Sequence, residues 1–78
     1  MLNFDTIVNY CLENHISMTI EAHPNKPSML VFTKPGPQSY GSIAKVIPEE
    51  RIREDLTDDL LNNLDHFWND QGCFRHEN

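Results

Sequence analysis

Along this chain the spacing of apolar residues changes period twice, and that switch restricts the fold more than any other feature. Residues 3–16, NFDTIVNYCLENHI, place Phe4, Ile7, Val8, Cys11, Leu12 and Ile16 at steps of three and four, which stacks side chains on one face of a helix. Asn3 is placed to cap that helix, and Asp5 suits the positive end of its dipole. In residues 17–23 the period falls to two, with Met18, Ile20 and Ala22 alternating against Thr19, Glu21 and His23, the pattern of a half-buried strand. The cluster PNKPS then turns the chain, because two prolines deny the donors that a ladder needs.

The continuous apolar run MLVFTK, residues 29–34, has the length and the β-branched and aromatic content of a central strand. A third strand is expected over residues 39–47, with Ile43 and Ile47 on one side and Ala44 and Val46 on the other. Pro48 fits the first turn of a short helical lead-in through residue 55. The helical period then returns in TDDLLNNLDHFWND, residues 57–70, with Thr57 as the expected cap and Gly72 as the stop. Projected at 100° per residue, Leu60, Leu61, Leu64, Phe67 and Trp68 cover an arc of about 120°, enough to bury against a sheet. Residues 73–78 are expected to form a short mobile tail.

The expected class is therefore α+β with element order α-β-β-β-α. Residues 1–78 form one domain, a three-stranded antiparallel sheet with both helices packed on one face. At 78 residues only about 60 to 65% of the unfolded chain's surface can be buried, so the core must be small. That order and size resemble the double-stranded-RNA-binding domain. The resemblance implies the fold and not the activity: that family docks on phosphates through lysines at the start of its final helix, where this chain has Thr57, Asp58 and Asp59.

Charge is segregated. Residues 1–46 hold three acids and three lysines, while residues 47–78 hold nine acids against Arg51, Arg53 and Arg75, which accounts for the formal net charge of −6. Such a surface repels nucleic acid and anionic membranes, so neither is an expected partner. The longest apolar stretch, Met29 to Phe32, is far below the roughly 20 residues that span a bilayer. The first ten residues lack the basic start and apolar block of a signal peptide. A cytoplasmic location is the resulting expectation.

Asp58, Asn62, Asp65 and Asn69 project within about 60° of one another, with Asp59, Asn63, His66 and Asp70 in the neighbouring row; Glu49, Glu50, Glu54 and Asp55 extend the negative surface. A solvated helix face is polar in any protein. This one also lacks lysine and arginine altogether, forgoing the pairs that would contribute about 0.2 to 0.5 kcal/mol each. The expectation is a small protein-binding module with a regulatory or inhibitory role, meeting a basic protein surface through Asp58, Asp59, Asp65 and Asp70. Small acidic inhibitors that phages direct at restriction and CRISPR nucleases are similar in size and charge, their carboxylates imitating nucleic-acid phosphates. A second expectation is an assembly protein that forms a homodimer or complex through the open sheet face, using Met29, Val31 and Phe32, since MLVF is apolar on both sides.

No catalytic arrangement and no cofactor is expected. Ser17, Ser39 and Ser42 have no base or oxyanion turn around them, and the prolines beside Gly36 remove the donors of a phosphate-cradling loop. His66, Cys73 and His76, with Asp70 nearby, form a weak metal candidate, H-x6-C-x2-H, whose spacing matches no established finger. Cys11 is expected as a buried free thiol rather than half of a Cys11–Cys73 bridge.

Overall fold

The computed structural model of the chain describes residues 2–36, 41–54 and 56–72, with the side chains of residues 53 and 54 outside that description. The elements are α1 (Phe4–Glu13), β1 (Ser17–His23), β2 (Lys26–Pro35), β3 (Ser42–Pro48), α2 (Glu49–Glu54) and α3 (Thr57–Asp70). The strands form an antiparallel meander in the order β1-β2-β3, with β2 central. This is the expected α+β architecture. The expected tail, including Cys73 and His76, lies outside the described residues, as do Ser39, Tyr40 and Asp55.

Local chemistry accounts for each boundary. Asn3 caps α1 by accepting from the Thr6 N–H at 3.2 Å. The helix ends in a Schellman turn: His15 takes the left-handed conformation with φ 58°, and the Ile16 N–H reaches back to the Cys11 carbonyl at 2.8 Å. Ile16 then buries itself in the core. The turn before β2 is tighter than two prolines suggest, since β2 begins at Lys26 and runs through Pro27. The register between β1 and β2 shifts by one between Glu21 and His23, and a bulge is where a strand tolerates a proline that cannot donate.

Thr57 is not the cap of α3. Leu56 occupies that position without a side-chain bond, and the Thr57 hydroxyl instead accepts from the Asn3 N–H at 2.5 Å. The starts of α1 and α3 are thereby tied together. At the far end of α3, Gly72 has φ 71°, and its N–H bonds the Asn69 carbonyl at 3.0 Å, closing the helix as only glycine does without strain.

Strand alternation decides the two sheet faces. Leu30, Phe32 and Lys34 of β2 point to the helices, flanked in register by Ile20 and Met18 of β1 and by Ile47, Lys45 and Ile43 of β3. Against them pack Ile7 and Cys11 of α1, Ile52 of α2, and Leu60, Leu64 and Trp68 of α3. Met29, Val31 and Thr33 lie on the open face beside Ala44, Val46 and Pro48. Phe32 is thus not an open-face contact: it is fully buried among the helices, because one face of β2 alternates with the other and only one is covered.

Among the described residues, Lys34 is the one charged side chain in the buried layer. Its ammonium donates to the carbonyl of Asn14, the C-cap of α1. A cation there meets the negative end of the helix dipole and satisfies an otherwise orphaned acceptor, which is how a lysine stays in a layer made of Leu, Phe and Trp.

Candidate functional site

Two surfaces have the character of contact sites. The first is the outer side of α3. Its inner positions Leu60, Leu64 and Trp68 are buried, so Asp58, Asp59, Asn62, Asn63, His66, Asn69 and Asp70 are left in solvent. Asp58 and Asp59 occupy the first turn, where a carboxylate is favoured by the helix dipole; Asp70 lies in the last turn, which has no basic residue and where the dipole opposes it. Lys45, Arg51 and His66 line a depression of about 320 Å³ with Asp70. None of the three aspartates forms an ion pair with a described residue, and the Lys45 ammonium lies 5.2 Å from the centre of the Phe67 ring.

Asp65 is not part of this free face. It is half-buried on the flank of α3 that meets α1, and it accepts the hydroxyl hydrogen of Tyr10. Burial pushes the Tyr10 hydroxyl well above the ordinary phenol range, and the bond to Asp65 and its negative charge push it further. The Trp68 indole N–H lies close to the same oxygen, where it favours the phenolate, yet Nε1 has no hydrogen-bond partner among the described residues. Asp65 is a brace between helices. The expectation that it projects to solvent failed because α1 packs on this side of α3, a tertiary fact.

Glu49 also turns inward, accepting from the Ser28 N–H at 3.2 Å, which joins α2 to β2. Glu50 is exposed. The Glu54 side chain and Asp55 lie outside the described residues. Of the weak metal set, His66 is exposed on α3, and Cys73 and His76 are outside the description; among described residues no three His, Cys, Asp or Glu side chains are grouped to hold a metal. Cys11 is a buried free thiol in the core, and burial pushes it up and away from the reactive thiolate.

The second surface was not expected. A groove of about 580 Å³ opens on the helix-covered side of the sheet, between the start of α1 and α2, lined by Leu2, Phe4, Ile20, Leu30 and Ile52 with Ser28 and Glu49 at its polar end. Phe4, Val8 and Leu12, at 50, 42 and 70% exposure, form an apolar stripe along α1, and Ile20 of β1 is 64% exposed. A signal for this was present. Counting Tyr10, the apolar positions of α1 spread over about 200°, twice the arc that one packing face needs.

No helix among the described residues is long and apolar enough to cross a membrane. Compared with protein-family models, curated proteins and solved structures, the chain matches none.

Proposed function

We propose that this chain is a small protein-binding module with a regulatory or inhibitory role, and that it meets a basic protein surface through the exposed carboxylates of α3. The observation that carries this reading is the placement of Asp70 with Asp58 and Asp59 on the wet side of a helix that has no lysine or arginine. First-turn aspartates stabilise a helix and are accounted for by that alone. A last-turn aspartate costs about 0.3 to 1 kcal/mol, so its presence favours a use other than stability. A one-sign surface speeds encounter with an opposite one, and carboxylates spaced along a helix suit a protein that ordinarily holds nucleic-acid phosphates.

The test is binding to a panel of immobilised nucleic-acid enzymes at rising salt, with wild type compared to Asp70→Asn and to Asp58→Asn/Asp59→Asn. Capture that weakens with salt, and falls about tenfold in the variants, supports the reading. Capture indifferent to salt and to all three aspartates removes it.

A second reading, assembly through the open sheet face, is favoured by Met29, Val31 and Val46 lying side by side there, with Val46 47% exposed. Sedimentation of Val31→Lys against wild type tests it directly.

A further inference from the structure

We propose that the chain forms a twofold homodimer in which β1 pairs antiparallel with β1 of a second copy, extending the sheet to six strands, while α1 packs along its symmetry mate. The inference rests on the coincidence of three features on one flank, independent of α3.

The first is an unguarded sheet edge. Among the described strands β1 has a neighbour on one side only, and from Ser17 to Ile20 it contains no proline, charge or bulge, the devices that ordinarily blunt an edge; the register shift comes only after Glu21. The opposite edge, β3, differs: Lys45 there reaches to Phe67, and Arg51 and Asp70 line the same depression with their charges.

The second is an apolar roof beside that edge. At 100° per residue, Ile7 and Cys11 of α1 point into the core, and Tyr10 points toward α3, where it bonds Asp65. Phe4, Val8 and Leu12 fall on the remaining side, away from α3, and are exposed. Phe4 and Ile20 share the groove that also reaches Leu30 of β2 and Ile52 of α2.

The third is self-complementarity. α1 runs opposite to β1, so Leu12 stands near Ser17 and Phe4 near Ile20. A twofold axis through Thr19 pairs Met18 with Ile20 of the second copy, Ser17 with its Glu21, and Thr19 with itself. It also runs the two α1 helices antiparallel, bringing Leu12, the most exposed large apolar side chain among the described residues, to the groove beside Phe4 and Ile20 of the mate, and the reverse. One patch serves both copies, as an isologous interface requires.

Phe4, Val8, Leu12 and Ile20 together expose roughly 400 Å² per copy. A standard interface buries about 800 Å² per partner, and the strand edge, Leu2 and the rim supply the remainder. Each chain carries −6, so like charge opposes the approach of the two copies. Salt therefore tightens this dimer, whereas it weakens a charge contact through α3.

Analytical ultracentrifugation over a concentration series, at low and high salt, tests the proposal on the full chain. The expected result is a particle of twice the 9.1 kDa chain mass that strengthens with salt, and a dimer at least tenfold weaker in Leu12→Lys and in Ile20→Lys, with Val31→Lys unchanged. Circular dichroism melts confirm that the variants are folded. Thr19→Cys, in a Cys11→Ala/Cys73→Ala background, crosslinks to itself on mild oxidation, since paired strands hold opposite Cα atoms about 4.5 to 5.5 Å apart; Glu21→Cys in the same background does not. A monomer at all concentrations overturns the proposal, as does a dimer lost in Val31→Lys but kept in Leu12→Lys, or Glu21→Cys crosslinking in place of Thr19→Cys.

Discussion

Removing the Tyr10 hydroxyl isolates the contact that distinguishes a bracing Asp65 from a partner-binding one. A hydrogen bond to a charged acceptor is worth about 1.5 to 3 kcal/mol when buried. Tyr10 and Asp65 are both half-buried, so solvent screening reduces the expected coupling to about 1 kcal/mol. In a chain of this size that corresponds to a fall of about 4 to 8 °C in Tm. The assay is a double-mutant cycle, Tyr10→Phe, Asp65→Ala and the pair, by thermal and urea unfolding at neutral pH. Each single variant loses stability, and the double loses about 1 kcal/mol less than their sum. The burial of Tyr10, together with that bond, has an alkaline signature. Because the folded Tyr10 hydroxyl holds its proton more tightly than the unfolded one, its contribution is complete below about pH 10 and declines above it as the unfolded chain ionises first. Buried Cys11, also pushed up, begins the decline from about pH 8.5 by the same reasoning. Tyr10→Phe leaves the cysteine limb and removes the tyrosine one. Strict additivity in the cycle, with an unchanged alkaline limb in Tyr10→Phe, would refute the brace.

Two further expectations concern the end of α1. Lys34→Met keeps the stem but orphans the Asn14 carbonyl, so it should destabilise by about 1 to 3 kcal/mol, read as a lower urea midpoint at constant m-value; an equal or higher midpoint would mean that the ammonium contributes nothing there. His15→Gly relieves a left-handed non-glycine residue and should raise stability by about 0.5 to 1 kcal/mol, with a lower Tm counting against the Schellman assignment.

Local patterns along the chain set the elements and their class. Period two in SMTIEAH, period 3.6 around Leu60, Leu64 and Trp68, and the Asn3 and Gly72 signals depend on contacts within a few residues, and they survive folding because packing reinforces them. What folding alone decided is how neighbouring elements share each surface. Phe32 faces the helices and Val31 does not, since the run MLVF reads the same from either side until something covers one of them. Asp65 and Glu49 became internal acceptors because α1 and β2 arrived beside them, at sequence separations of 55 and 21 residues that no local pattern encodes. Lys34 entered the buried layer because the end of α1 offered it a carbonyl. The apolar arc of α1 was legible in the sequence, but only the placement of α3 determined which half of it would stay uncovered.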